Sequence, residues 1–201
     1  MSLQESSFEK KELWKRVTVK EYKLTPQPLT KEAFAPFGDV VEVPADKENA
    51  SLIMINGGNT ERYDSLVKVE LAAASSSDKR DKETHAVINI FRAKPRPVSK
   101  DLAMDILMVE RHPFGSQSFH PLSGEEYLVL VADAVEEPTP ENLHLFIARA
   151  DQGINYHKNT WHHPVLGLNK ICDFLVVDRK GGGNNCEEHF FGDNVKIQIT
   201  C

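Results

Sequence analysis

Three cysteines in 201 residues leave little for sulfur to do. Cys172, Cys186 and Cys201 are odd in number and form no C-x-x-C pair. That argues against a disulfide framework and against a zinc–thiolate site, and each reads as a small buried or terminal thiol. Long apolar runs are missing too. None approaches the roughly 18 residues of a membrane-spanning helix, and the opening Met1-Ser2-Leu3-Gln4-Glu5 lacks the apolar core of a signal peptide. The expectation is a cytoplasmic protein with no membrane partner. A basic face is also lacking. The net charge is −6, and the cluster Lys10, Lys11, Lys15, Arg16 is diluted by Glu5, Glu9 and Glu12, so no footprint for nucleic acid remains. Gly181-Gly182-Gly183 lacks the lysine and following helix of a phosphate-binding loop. With 40% apolar and 27% charged residues, the composition suits one packed domain.

Residues 1–23 are polar and charged and read as an N-terminal arm, a short helix or loose segment, ahead of a single domain over 24–201. Leu24 to Leu29 is extended, because each proline biases its predecessor away from the helical region. Thr30 reads as an N-cap before a helical turn over Lys31 to Phe34. Strands are expected at Asp39–Val43, Ile53–Asn56, Asp64–Ala74, Ala86–Phe91, Ile106–Glu110, Gln117–His120, Tyr127–Ala132, Leu143–Ala148 and Ile171–Val177. Ala74 to Lys82 is a low-complexity polar loop. Short β-branched and aromatic runs between Pro, Gly and Asp turns, with no long amphipathic helix, point to an all-β fold with a few short helices.

The segment Tyr156-His157-Lys158-Asn159-Thr160-Trp161-His162-His163-Pro164 carries three of the eight histidines. Imidazole can switch protonation, bind a metal and donate a hydrogen bond near neutral pH. Such a cluster beside an indole suits the wall of a small polar pocket, although histidines at a strand end also serve as structural hydrogen-bonding groups. On an uninterrupted strand His157 and His163 share a face with His162 opposite; a turn at Lys158-Asn159 breaks that parity. In Glu110-Arg111-His112-Pro113, a shared strand face would let Glu110 orient the His112 ring, with Arg111 facing away.

Two segments resemble the motifs of the cupin barrel. His157 to His162 keeps the frame of the second motif, with its histidine at His162. Pro113 to Tyr127 corresponds to the first motif, but the usual H-x-H is absent there. A closer resemblance is to the ureidoglycolate lyase family, formerly called ureidoglycolate hydrolases. It is carried in order by Leu29-Thr30-Lys31-Glu32-Ala33-Phe34, Phe37-Gly38-Asp39-Val40, Ile55-Asn56-Gly57-Gly58, Glu61-Arg62-Tyr63 and Arg92-Ala93. It continues through Glu110-Arg111-His112-Pro113-Phe114-Gly115-Ser116-Gln117, Tyr127 to Ala132, Gly153 to His157, Trp161-His162-His163-Pro164, Asp173-Phe174 and Val177-Asp178-Arg179, spanning about 24–187. The resemblance implies a cupin-like β-barrel (a double-stranded β-helix), a homodimer, and cleavage of (S)-ureidoglycolate to glyoxylate and urea in allantoin and purine degradation. It also implies a divalent metal in some members, with nickel, manganese or zinc the candidates and no organic cofactor.

Ureidoglycolate is a carbinolamide, so its cleavage needs a base for the hydroxyl proton, an acid for the departing nitrogen and a cation for the carboxylate. Acid–base help of this kind is worth roughly 10²–10⁴-fold when the group titrates near working pH. The expected catalytic residues are His162, His157 and His112. Arg92 and Arg62 are the expected carboxylate clamps, because a guanidinium fork holds both oxygens. Gln117, Asn56 and Trp161 complete the expected substrate contacts, and His162, Glu126 and Gln117 are candidate metal ligands. Asp178 with Arg179 reads as a terminal ion pair. Two alternatives share these residues: a cupin-like protein that binds a small carboxylate, and an amidohydrolase releasing ammonia and carbon dioxide.

Overall fold

The strand Tyr127–Ala132 has no polar side chain that reaches water: every position is buried. Its side chains divide by parity. Tyr127, Val129 and Val131 enter one apolar cluster, while Leu128, Leu130 and Ala132 enter a second. Successive side chains of a strand point to opposite faces, so this strand lies in the middle of three layers. The layers follow from the rest of the chain. The computed structural model describes residues 19–46, 51–74, 83–95, 103–168 and 170–200.

The described strands are β1 (Lys20–Leu24), β2 (Gln27–Pro28), β3 (Gly38–Val41), β4 (Leu52–Ile55), β5 (Thr60–Tyr63), β6 (His85–Ala93), β7 (Ala103–Ile106) and β8 (Met108–Arg111). They continue with β9 (Gln117–Pro121), β10 (Tyr127–Ala132), β11 (Leu143–Ala148), β12 (Gly153–Tyr156), β13 (Leu166–Gly167), β14 (Cys172–Lys180), β15 (Glu187–Phe190) and β16 (Val195–Thr200). One α-helix, α1 (Lys31–Phe34), is capped by Thr30, whose hydroxyl accepts from the Ala33 amide at 3.2 Å. The middle layer runs β13-β10-β11-β2, one outer layer β3-β12-β9-β14-β6, and the other β1-β16-β7. Phe119, Ile154, Tyr156, Phe174 and Val176 of the five-stranded sheet pack with Phe34 and Phe146 in the inner cluster. Met104, Ile106, Ile197 and Ile199 close the other side.

The all-β, cupin-like class holds. The sheets face one another, and none of them closes into a barrel among the described residues. Several expected elements shift. Residues 64–74 form no strand beyond a single bridge from Leu71 to Gly115. Ile106–Glu110 breaks into β7 and β8 at Leu107, and β12, β15 and β16 arise where no strand was expected. β1 begins at Lys20, inside the segment assigned to the arm, and pairs in parallel with β16. The expected helix or loose segment over 1–18 and most of the Ser-rich loop lie outside the described residues. Among those described, no helix is long and apolar enough to cross a membrane.

The face of the five-stranded sheet turned away from the core carries a polar network. The Ser118 hydroxyl donates to Ile154 O at 3.0 Å and lies 2.9 Å from His120 Nε2. Burial holds His120 below its usual value of 6.5. The folded state therefore prefers the neutral ring, and the unfolded chain takes up the extra proton as pH falls. This contribution is fully present above about 6.5 and is lost below it. Melting temperatures measured from pH 7.5 to 5.0 should accordingly fall more steeply for the unaltered protein than for His120→Gln.

Candidate active site

β8 alternates cleanly. Val109 enters the outer cluster, and Arg111 lies on that same side, with its guanidinium 4.4 Å from the Trp161 ring centroid and 2.6 Å from Glu187. Glu110, and His112 just past the strand end, therefore turn inward together, with Arg111 facing away. The segment 161–163 is inserted between β8 and β10. Glu110 and His162 exchange both backbone hydrogen bonds, at 2.7 and 2.8 Å, and His163 N and Ala132 N bond across to Leu130 O and Trp161 O at 2.9 Å. Directly paired residues share a face, so His162 projects inward beside Glu110, on the side of Val131.

The turn at Lys158-Asn159 makes this possible. Asn159 has φ +70, a conformation that asparagine tolerates better than most residues. It resets the parity between β12 and His162. Before the turn Tyr156 faces inward and stacks on the His162 ring, with centroids 4.1 Å apart and planes 14° apart. His157 consequently faces outward, where its Nε2 lies 3.2 Å from Asp39.

One ligating atom from each of Glu110, His112 and His162 lies within 4.8 Å of the others. His112 Nδ1 is 2.6 Å from Asn185 O, and His162 Nδ1 is 2.9 Å from Thr160 O. A carbonyl oxygen can only accept, so each Nδ1 carries a hydrogen, and an imidazole in that tautomer presents a bare Nε2. Both Nε2 atoms, with Gln117 Oε1, are buried and without a hydrogen-bond partner. Burial, reinforced by His112, pushes His162 down to about 3, and burial raises the Glu110 carboxyl. Each buried polar group left unpaired costs roughly 1–3 kcal/mol, so the constellation is built to receive something. Imidazoles fixed through Nδ1 by carbonyls, beside a carboxylate, are a typical nitrogen–oxygen setting for Mn²⁺, Ni²⁺ or Zn²⁺. Cys186 sits at the edge, its Sγ 3.6 Å from Glu110 Oε2. Burial and that carboxylate push its thiol up to about 11, so it stays protonated at neutral pH and is a poor nucleophile.

Glu110 and His112 line a cleft of about 410 Å³ whose wall also includes Gln117, Asp178, Arg179, Asn185 and Cys186, while His162 of the group is buried. A larger depression of about 600 Å³ is walled by Glu42, Asp64 and Arg149. It has no histidine, and Arg149 there is bonded to Glu42 and Asp151. Arg179 is buried and anchored, donating to Ala72 O at 2.8 Å and Gly182 O at 3.0 Å. Gly115 lets it settle there, since a Cβ at that position would stand 2.7 Å from Arg179 Cβ.

The structure thus joins His162, His112 and Gln117 of the expected residues and separates the others. His157 is on the outer face of its sheet. Arg92 is exposed and forked onto Asp173 at 2.8 and 2.9 Å. Arg62 contacts Asp64, and Asn56, in the β4–β5 hairpin, donates to Thr60 at 3.1 Å. Trp161 is buried, but it faces the outer cluster and donates to Val135 O at 2.9 Å. Glu126 is exposed and precedes β10 at the end remote from Val131, the residue that pairs with His162. Five residues of strand, roughly 16 Å, keep it from the group. Asp178 does not pair with Arg179 as expected; it accepts from Gln117 Nε2 at 3.3 and 3.4 Å. Sequence reasoning did not assign site roles to Tyr156, Asp178, Arg179 or Asn185. It weighed Glu110 only as a partner for His112. The period of two in Glu110-Arg111-His112 was the available signal: this E-x-H stands where H-x-H was sought further along the chain.

Gly115→Ala should displace Arg179 and destabilise the fold by about 1–3 kcal/mol, the usual cost of overpacking. Urea unfolding would measure the loss, and an unchanged midpoint would remove the close-approach argument.

The family described as ureidoglycolate lyase matches residues 21–198. A ureidoglycolate lyase of Brucella melitensis biotype 2 is 52% identical over 178 residues, covering 88% of this chain and 95% of the relative. One from Pseudomonas paraeruginosa is 47% identical over 173 residues, covering 86% and 93%. One from Pseudomonas fluorescens is 46% identical over 177 residues, covering 88% and 96%. The chain belongs to the ureidoglycolate lyase family, a family of enzymes.

Proposed function

We propose that this chain is a carbon–nitrogen lyase of the amidine-lyase type that cleaves (S)-ureidoglycolate to glyoxylate and urea, in the cytoplasm, within allantoin and purine degradation. The observation that carries the reading is the convergence of Glu110, His112 and His162, both rings with a buried Nε2 that has no hydrogen-bond partner, where Glu110 and His112 line a polar cleft. The relatives' names supply the substrate. We take 24–201 as one catalytic domain, with β1 extending it to Lys20.

The reaction is a net transfer of one proton. The hydroxyl hydrogen leaves oxygen as the carbonyl forms, the C–N bond breaks, and a proton arrives on the departing urea nitrogen. A single group that takes and then returns the proton is sufficient. Glu110 suits the task because burial lifts its carboxyl from the usual range toward working pH. The Nε2 atoms of His112 and His162 accept the substrate's O–H and N–H hydrogens and orient the carbinol carbon. Tyr156, stacked on His162, keeps that ring in place and excludes water behind it. Arg179 gives the wall its positive charge opposite the substrate carboxylate, the role first expected of Arg92 and Arg62. With a divalent cation, nickel, manganese or zinc, the Nε2 atoms of His112 and His162 would instead be ligands together with one oxygen of Glu110, with Gln117 beside them, and the ion would supply the polarisation of the carbinol oxygen that the imidazoles' hydrogen bonds supply without it.

Purified protein should release glyoxylate and urea in equal amounts from (S)-ureidoglycolate, above the spontaneous rate. Glu110→Gln should lower kcat by roughly 10²–10⁴-fold. Coupled assays for glyoxylate, urea and ammonia, run before and after chelation, decide the matter. Ammonia in place of urea would establish the hydrolase alternative and refute the lyase.

We also read the assembly as a homodimer. β6 is an edge strand of the five-stranded sheet. Ile88 and Ile90, 71% and 59% exposed, share its outer face with Leu175 and Val177 of β14. An apolar stripe of this kind on an edge invites a partner. Light scattering should find a dimer, converted to monomer by Ile88→Lys with Ile90→Lys. A dimer that survives the double change would place the contact elsewhere.

A further inference from the structure

The inner site is made almost wholly of acceptors. His112 Nε2, His162 Nε2 and Gln117 Oε1 are buried without a hydrogen-bond partner, and the carboxylate of Glu110 stands beside the two rings. A glutamine is the odd member of such a set, because its amide has one face that accepts and one that donates. Turned the other way, it would present NH₂ to the cleft. What decides between the two orientations is Asp178.

Gln117 and Asp178 lie on the inner face of neighbouring strands. On β9, Gln117 shares parity with Phe119, and on β14 Asp178 shares parity with Val176 and Phe174; all three apolar residues enter the inner cluster. β9 and β14 pair with Val177 opposite Ser118, and the next step of that antiparallel register sets Gln117 directly opposite Asp178. Gln117 Nε2 stands 3.3 Å from one Asp178 oxygen and 3.4 Å from the other. A carboxylate has no hydrogen to give. The opposite orientation would press Oε1 against two acceptor oxygens, so the amide is locked with its nitrogen on Asp178 and its oxygen left over. Gln117 is 5% exposed, so water has little access to that oxygen.

We propose that Asp178 is a positioning residue: by holding the amide nitrogen of Gln117, it fixes Gln117 Oε1 as the additional acceptor of the Glu110–His112–His162 site. The site then takes only an occupant that brings positive charge or hydrogen donors. Two sources have that chemistry, a divalent cation and the N–H groups of a urea. The inference deepens the proposed function and rests on it only for the second of these. Gln117 then accepts from the occupant, while its donor hydrogens are spent on Asp178.

The test uses the full-length protein and two probes, each titrated calorimetrically into chelator-treated protein: Ni²⁺ alone, and urea alone. Asp178→Asn removes the lock, since the new amide can pair with either end of Gln117. Outer residues that orient a ligand typically change affinity by roughly 10–100-fold, so Asp178→Asn should weaken whichever probe the unaltered protein binds by at least about tenfold. Combining Asp178→Asn with Gln117→Glu exchanges amide and carboxylate, and again leaves only oxygen for the cleft. This pair should recover most of the lost affinity, which a merely structural role for Asp178 would not predict. Asp178→Ser replaces Asp178→Asn if the latter fails to fold, as judged by circular dichroism. Loss on Asp178→Asn with recovery in the paired exchange supports the proposal. It is overturned if neither probe binds the unaltered protein, if Asp178→Asn binds as tightly as before, or if the paired exchange binds no better than Asp178→Asn. Absence of lyase turnover with the affinity pattern intact would refute the substrate while leaving the role of Asp178 standing.

Discussion

Two backbone hydrogen bonds between Glu110 and His162 carry a large share of this architecture. They splice residues 161–163 between β8 and β10, and so join the short β15-β8 pair to the middle layer. They also fix side-chain direction. A strand offers only two faces, so once the Glu110 and His162 backbones pair directly, both side chains emerge on the inner side, and His112 follows two residues on. A slip of one residue would exchange the whole set, turning Arg111 and Trp161 inward and the reactive groups into the outer cluster. The register is guarded by the apolar surface on both sides, because Val109 and Trp161 are committed to the outer cluster and Val131 and Tyr156 to the inner one.

The fold was legible where burial on both faces writes a continuous apolar run. β10 and β11 fall on their expected bounds, since nothing else accommodates Tyr-Leu-Val-Leu-Val-Ala. It was poorly legible where a strand is specified by its neighbours. β15 reads as a polar tail in sequence and becomes a strand only because β8 offers an edge to pair with. The stretch from Asp64 to Ala74 shows the reverse: Leu66, Val69 and Leu71 have a strand-like composition, yet remain 38–40% exposed, and a single bridge to Gly115 is all the pairing they obtain.

The site shows the same division. His162 and His112 could be found because histidine is conspicuous and the cupin frame points to His162. His157 could not be separated from them, since parity across Lys158-Asn159 depends on one backbone conformation, the positive φ of Asn159. Arginine misled for a different reason. Arg92 at the end of an apolar strand seemed to need a functional partner, and it has one on the surface in Asp173. Its raised pKa reflects the hydrogen bonds it donates to that carboxylate first and the carboxylate's charge second. Arg179 looked like a strand-end ion pair because the segments that hold it, at Ala72 and Gly182, are distant or featureless in sequence.

Arg179 also shows how the cleft can carry positive charge without a mobile side chain. Its guanidinium is oriented by backbone carbonyls and packs 5.5 Å over the Phe114 ring, while Gly115 provides the space beneath its stem. Such a group contributes a preset potential, and little reorganisation is needed when a carboxylate arrives. The acceptor atoms of His112, His162 and Gln117 are preset in the same manner, each by a partner on its far side: a carbonyl for each imidazole and a carboxylate for the amide. Buried acceptors without a hydrogen-bond partner cost the fold stability. The aromatic packing of Tyr156, Phe119 and Phe174 around them offsets that cost. An occupant that brings hydrogens or positive charge would pair these acceptors, so the cost of burying them becomes a contribution to binding.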